Sequence, residues 1–334
     1  MEPRIGSKLK ILYIIDILKK YSDEEHPINA TEICEKLWSY GIAAERKAIY
    51  SDIENLIFYG FDIIKTRSPR AGFFMGTREL ELPELYLLID AVQAANFITP
   101  KKTRELVKKL ENMMSGEQAK AREKSVFFEY KNKCKNEEIF IIIDGLRTAI
   151  EQNKKVLLKY QHRKIDDGRQ LTFMQREFVI SPYALIWMGD HYYLVCNNEK
   201  YNNLMHMRLD RMRGVTILDE PSRHHSEVSP YKDRFDIADY AGKSFNMFGG
   251  EVTDIEFSCS YEILDQVIDR FSEDIYLAGV TDETFTFRTK GMVSEGLVGW
   301  ILQFGGDIEV KSPKKLRDMI TEKIEVLQKT YKKD

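Results

Sequence analysis

The sequence predicts an α+β multidomain protein, and three observations carry that prediction. Over the first 80 residues, apolar side chains recur at helical spacing in three segments and then give way to two short apolar runs around a turn containing Pro69 and Gly72. From Arg176 to Leu218 (REFVISPYALIWMGDHYYLVCNNEKYNNLMHMRLDRMRGVTIL) apolar and polar residues alternate, a Gly-Asp pair separates two strand-like runs, and Arg208, Arg211 and Arg213 close the stretch. After Val252 the pattern switches between strand and helix periods several times. A chain of 334 residues has room for about two or three domains of roughly 100 to 200 residues each. Its 43% hydrophobic and 31% charged residues suit an ordinary globular protein.

In chain order, Leu9, Leu12, Ile15 and Leu18 mark a first helix that ends at the turn around His26 and Pro27. Asn29 or Thr31 can cap a second helix carrying Ile33, Leu37 and Trp38, which Gly41 breaks. A third helix runs from about Ala44 to Tyr59, with Ile49, Ile53, Leu56 and Ile57 on its inner face and Arg46, Lys47, Tyr50, Ser51 and Glu54 elsewhere on the wheel. After Gly60, FDIIK, the turn TRSPRAG and FFM form a hairpin with Arg67 and Arg70 at its tip. This order is that of a winged helix-turn-helix over residues 1–80, whose third helix can enter the DNA major groove while a basic wing tip reaches phosphate. The segment holds 12 basic and 12 acidic side chains, so its affinity for DNA would lean on a local patch and on dimerisation and would fall with salt.

Residues 81–138 read as a helical connector suited to dimerisation. Pro83 starts a helix with Leu85, Leu88, Ile89 and Val92, Pro100 starts another with Leu106, Val107 and Leu110, and Gly116 leads into a charged stretch to Glu138. A helix from Ile139 to Gln152 then feeds the strand VLLKY, a turn at Asp166, Asp167 and Gly168, and the alternating stretch already described, a β-unit over residues 139–222. From Pro221 to Gly250 the pattern is that of a loop, in which His224 and His225 are adjacent and lack the partners of a zinc site. Residues 251–334 form a small α+β domain: strand TDIEFSC, helix EILDQVIDRF, strands DIYLAGV and TFTFRTKG, helix LVGWILQFG, strand DIEVKS and a helix from Pro313. Gly305 and Gly306 stop a helix there and do not make a phosphate loop.

The net charge of -3 conceals an asymmetry. Lys154 to Arg213 carries 11 basic and 6 acidic residues, whereas Glu251 to Val310 carries 3 basic and 13 acidic ones, so an anionic partner is drawn to the middle of the chain. Aromatic rings beside guanidinium groups suit a flat anionic ligand, because a base can stack while a phosphate takes paired hydrogen bonds. Tyr and Trp in strands also serve as plain sheet surface. Cys34, Cys134, Cys196 and Cys259 show no C-x-x-C spacing, which predicts reduced structural thiols and no metal site. Nucleophile elbows, Walker loops and H-E-x-x-H are absent, and His162, His191 and His206 come without a nucleophile, so neither an enzyme nor a cofactor is expected. A metal-dependent nuclease would want clustered carboxylates, and Asp166 with Asp167 sits in a turn signal instead. No apolar run approaches the roughly 18 residues of a membrane span, and MEPRIGSKLK lacks a signal-peptide core, so a cytoplasmic protein without membrane contact is expected.

Taken together, ERKAIYSDIENL (Glu45 to Leu56), REFVISPYAL, GDHYYLV, MRLDRM and WILQFGGDIEVKSPKKLRDMI resemble, in order, the blocks of the bacterial WYL-domain transcriptional regulators. The eponymous tripeptide is Tyr192, Tyr193 and Leu194 here, with Tyr in place of Trp, and the family's Ser, Thr and Arg of the recognition helix are replaced by Ala44, Ala48 and Ser51. The resemblance implies an N-terminal winged helix-turn-helix, a central Sm-like β-barrel WYL domain that senses a ligand, and a C-terminal extension. It also implies a homodimer on double-stranded operator DNA and, as ligand, a single-stranded nucleic acid or nucleotide. The DNA-binding residues would be Arg46, Lys47, Tyr50, Ser51, Arg67 and Arg70. The ligand face carried over comprises Tyr160, His162, Arg176, Ser181, Tyr183, Tyr193, His206, Arg208 and Arg211. The expected function is therefore a ligand-responsive transcriptional regulator. The alternative is an accessory protein that binds single-stranded RNA or DNA to modulate a partner complex.

Overall fold

A computed structural model of the chain describes residues 9–125 and 132–332. Most of the MEPRIGSKLK segment, and residues 126–131 of the charged stretch after Gly116, fall outside the described residues. The chain forms two compact units that divide between Lys135 and Asn136.

The first unit opens with α1 (Lys10–Tyr21), α2 (Ala30–Ser39), α3 (Arg46–Tyr59) and a hairpin of β1 (Ile63–Thr66) and β2 (Gly72–Met75). Its core gathers Ile14, Ile17, Leu18, Ile33, Leu37, Ile49, Ile53, Leu56 and Phe73. Leu9 and Leu12 stay about half exposed, because a stripe spaced by three slips about 60° per step around a helix and places Leu9 opposite Leu18. Ile57, expected on the inner face of α3, is also exposed, and so is Trp38 on α2. Asn29 starts α2 through a reciprocal cap: its Oδ1 accepts from Thr31 and Glu32 N–H at 2.9 and 3.1 Å, and Glu32 Oε2 accepts from Asn29 N–H at 2.8 Å. Gly60, at φ +117, ends α3 in a conformation that a side chain would strain. The hairpin is stitched to the α1–α2 link by paired bonds between Ile28 and Phe73, and a Cβ on Gly72 would meet the Ile28 backbone at 2.8 Å.

Three connector helices follow, α4 (Leu82–Ala94), α5 (Pro100–Glu111) and α6 (Gly116–Ser125). The last is a helix where the sequence showed only charge. Buried Asp23 fastens the α5–α6 link to the end of α1: Ser115 Oγ donates to its carboxylate, and Arg78 donates to Ser22 O at 2.7 Å and Met113 O at 3.1 Å.

In the second unit α7 (Ile139–Glu151) precedes β3 (Lys154–Ile165), β4 (Leu171–Met188), β5 (His191–Asn197), β6 (Met205–Arg208) and β7 (Met212–Pro221). The Gly189–Asp190 pair makes the tight β4–β5 turn, with Gly189 at φ +55. The expected Sm-like barrel is not closed. The five antiparallel strands run in the order β6-β5-β4-β3-β7, and the edge strands β6 and β7 are joined by a single 3-10 turn, Leu209–Arg211, too short for them to pair as a hairpin. Across the open seam the Tyr160 hydroxyl accepts from Arg208 N–H at 3.2 Å. Strand β4, 18 residues long, pairs with β3 through its first half and with β5 from Ser181 on, the register shifting between Pro182 and Ala184.

The loop read from Pro221 to Gly250 contains a helix, α8 (Ile237–Lys243). Phe235, Tyr240 and Met247 from this segment pack on Ala184, Ile186 and Val195. Then come β8 (Glu251–Ser260), α9 (Leu264–Phe271), β9 (Tyr276–Val280), β10 (Thr284–Val293), α10 (Glu295–Leu302), β11 (Ile308–Ser312) and α11 (Lys314–Tyr331). Their sheet order, β11-β8-β10-β9, is that of a split β-α-β-β-α-β unit built over Phe257, Phe285, Phe287, Leu297 and Leu316. No helix of the described residues is long and apolar enough to cross a membrane.

Candidate functional site

On the first unit, Glu45 occupies the cap position of α3 and makes no side-chain cap bond, and Ala44, read from the sequence as a lost cap, lies one residue before it. Arg46, Lys47, Tyr50, Ser51 and Glu54 are all exposed on one side of the helix. Tyr50 meets Phe73 of the hairpin edge-on at 5.7 Å, and Lys65 Nζ lies 5.7 Å from the Tyr50 ring centre, so the helix face and the hairpin share one aromatic-basic edge. Arg67 is exposed at the hairpin tip. Arg70 is instead engaged, its Nη1 2.9 Å from Glu32 Oε1, the same carboxylate that caps α2. Lys10 pairs with Asp52 at 2.6 Å and holds α1 on α3.

On the second unit the nine expected ligand residues fall into three places. The first is the cluster at the seam of the sheet. Tyr160 is buried with its ring 5.1 Å from that of His162. Tyr193 stands opposite Arg208 in the β5–β6 register. Arg208 is clasped at two points by Asp210, with Nε 3.0 Å from Oδ1 and Nη2 2.7 Å from Oδ2. Burial works to raise the Asp210 carboxyl, but the hydrogen bond and charge of Arg208 overcome it and hold that group below its ordinary range. Burial raises Tyr160 and Tyr193, against the opposing pull of Arg208 first and of Arg211 after it, and Arg211 Nε is buried without a hydrogen-bond partner among the described residues. His191 completes the cluster; burial lowers its pKa, and Arg208 lowers it further.

The second place is a cleft of about 560 Å³, where Arg176 and Ser181 line one wall with Lys155. Lys155 is paired with Glu199 at 2.7 Å and Glu220 at 3.0 Å, so this cleft offers an anion less positive charge than its lysine suggests. Ser181 is itself buried, its Oγ accepting from Arg223 N–H at 2.9 Å.

Tyr183 and His206 occupy the third place, beneath the segment carrying α8. The Tyr183 ring stacks on Phe235 and meets His225 edge-on, and burial pushes its hydroxyl up to about 12. His206 Nε2 lies 2.7 Å from the Tyr240 hydroxyl, and burial lowers the imidazole to about 4.

Sequence reasoning missed Asp210, although an acid two residues after Arg208 was the available signal. It also grouped Arg213 with the other arginines. Arg213 Nη1 instead donates to the carbonyls of Asp210 and Met212 at 3.2 and 2.6 Å and so braces the turn. The tripeptide alternates as a strand must: Leu194 is fully buried, Tyr193 faces the cluster and Tyr192 accepts from Arg147 Nη2 at 3.2 Å. A Trp at 192 could only donate, so Tyr and Arg147 form a pair that the indole could not.

Residues 142–217, from α7 to β7, match the WYL domain, and residues 251–327 match the WCX domain. The chain thus carries a WYL domain. Among curated proteins, the uncharacterized HTH-type transcriptional regulator YobV of Bacillus subtilis (strain 168) is 23% identical over 301 residues, which is 85% of this chain and 89% of the relative. Among solved structures, proteasome accessory factor B/C (PafBC) of Arthrobacter aurescens aligns with 98% of this chain at 15% identity and a TM-score of 0.28. This chain spans 49% of that protein's length, and a likeness so loose carries no weight for the WYL and WCX domains.

Proposed function

We propose that this protein is a homodimeric, DNA-binding transcriptional regulator whose WYL domain senses a single-stranded nucleic acid or nucleotide. The name of the Bacillus relative, an HTH-type regulator, and the WYL domain itself support the regulatory part. In this reading α1 to α3 and the hairpin are a winged helix-turn-helix. Arg46, Lys47, Tyr50 and Ser51 face the major groove, Arg67 reaches the phosphate backbone, and Arg70 braces the hairpin through Glu32. Exposed Trp38, Phe58, Tyr59 and Leu87 offer apolar surface to a second copy.

The observation that carries the sensing part is Arg211: a guanidinium at the Tyr160 hydroxyl whose Nε–H is buried and unsatisfied among the described residues, a state that an incoming phosphate oxygen would relieve. The effector is bound at Tyr160, His162, Tyr193, Arg208 and Arg211, its base stacking on an aromatic face and its phosphate taken by the arginines.

A mobility-shift titration of the gene's own upstream duplex, with and without short single strands and at two salt concentrations, tests both parts. The duplex complex should weaken with salt and respond to the single strand. Replacing Arg208 and Arg211 by Ala should abolish the response and leave duplex binding nearly intact. Loss of duplex binding in a variant that is still folded and dimeric would refute the division of labour. Light scattering on the free protein should give twice the chain mass of 39.1 kDa.

A further inference from the structure

We infer that Asn136 and Glu138, which grip the main chain immediately after Arg211, transmit effector binding to the peptide that joins the two units; this rests on the WYL domain acting as the sensor. The 3-10 turn Leu209–Arg211 carries Asp210 and Arg211, and β7 starts at the next residue. The first carbonyl of that strand, Met212 O, accepts from Asn136 Nδ2 at 2.8 Å, with Asn136 only 2% exposed. Two residues on, Gly214 N–H donates to Glu138 Oε2 at 3.0 Å. Asn136 Oδ1 in turn accepts from Glu138 N–H at 3.1 Å, so both side chains are set by the start of α7.

The same segment is anchored on its other side within the first unit. Cys134 N–H donates to Asn96 O at 2.7 Å, and Lys133 Nζ donates to Ala95 O at 2.8 Å. Between Cys134, fixed to one unit, and Asn136, fixed to the other, lies Lys135 alone. One residue spans at most about 3.6 Å of chain, so a displacement of the Asn136 anchor leaves little length at Lys135 to take it up and is felt at Cys134.

A ligand phosphate that draws Arg208 away from Asp210, or accepts from the unsatisfied Nε–H of Arg211, changes the forces on both residues of the turn. Arg213 bridges the Asp210 and Met212 carbonyls, so the turn and the first residue of β7 move as one piece. Met212 O is therefore the point where a charge event at the cluster becomes a displacement of the Asn136 anchor. Coupling of this type is reciprocal: duplex DNA and effector must alter each other's affinity by one common factor.

The test uses the full-length protein, a fluorescein-labelled oligothymidylate as effector probe and the native upstream duplex. The affinity of each is measured with and without saturating amounts of the other. In wild type the common factor should be about fivefold or more. Asn136→Asp keeps an oxygen to receive Glu138 N–H and removes the donor to Met212 O. It should bind each partner alone close to wild type, while the common factor falls to near unity. Glu138→Gln retains an acceptor for Gly214 N–H and should preserve the factor, whereas Glu138→Ala should lower it.

A folded Asn136→Asp protein with the wild-type factor overturns the inference. If that variant does not fold, Glu138→Ala decides, and an unchanged factor there overturns it equally. A wild-type factor of one sinks the sensor reading itself, which separates that failure from failure of the relay.

Discussion

Arg208 and Asp210 meet side-on, two nitrogens to two oxygens at 3.0 and 2.7 Å, inside the cluster where an anionic effector is proposed to bind. The carboxylate occupies the fork that a phosphate would use, so effector and Asp210 compete for the same donors. Asp210→Asn should therefore tighten oligothymidylate binding by about tenfold, since a neutral amide is a weaker rival than a carboxylate. Fluorescence anisotropy at two salt concentrations reads this directly. Weaker binding would mean that Asp210 holds Arg208 in the productive pose.

Stability should fall as the pH drops from neutrality towards about 4, and His206 should supply part of the fall. Burial lowers its imidazole to about 4, whereas an unfolded histidine titrates near 6.5. Between those values the unfolded chain takes up a proton that the folded one refuses, so acid favours unfolding. Denaturant midpoints compared near pH 7 and pH 5 should show the drop, and His206→Gln should flatten it. An equally steep drop in the variant would assign the effect elsewhere.

The cap on α2 should be worth about 1 kcal/mol, so Asn29→Ala should lower the chemical-denaturation free energy of the first unit by that amount. Substituting Thr31, which makes no cap bond with its side chain, should change little.

In the WCX domain Phe257 is fully buried, with its ring 5.2 Å from Phe287 and 6.0 Å from Phe271. Phe257→Ala should destabilise that domain by about 3 to 5 kcal/mol. Circular dichroism melts would register a loss of this size, and a shift within error would contradict the packing described.

Much of this architecture was legible because periodicity reports burial. Ile49, Ile53 and Leu56 return to the same side of α3, and TDIEFSC alternates along β8 as a half-buried strand must. The exceptions have physical causes. Helix α8 is a single seven-residue segment with one buried side chain, Tyr240, too short to show a period, and α6, GEQAKAREKS, has no large apolar residue, so its helicity has no apolar stripe to announce it. The ligand residues were harder, because a sequence gives residue types and not neighbours. Arg176 and Arg208 look alike in the chain, yet one lines an open cleft and the other is held by Asp210. Asn136 gave no signal at all, since its role comes from a carbonyl 76 residues away.

The open edge between β6 and β7 has a mechanical meaning. Strand β6 is laddered only to β5, and its tie to β3 is one phenolic oxygen, so the two edges can part while every interstrand ladder survives intact. Amide exchange at Arg208 should accordingly outpace that of Leu158, which β4 flanks on one side and β7 on the other, and this lip is where the proposed effector would enter.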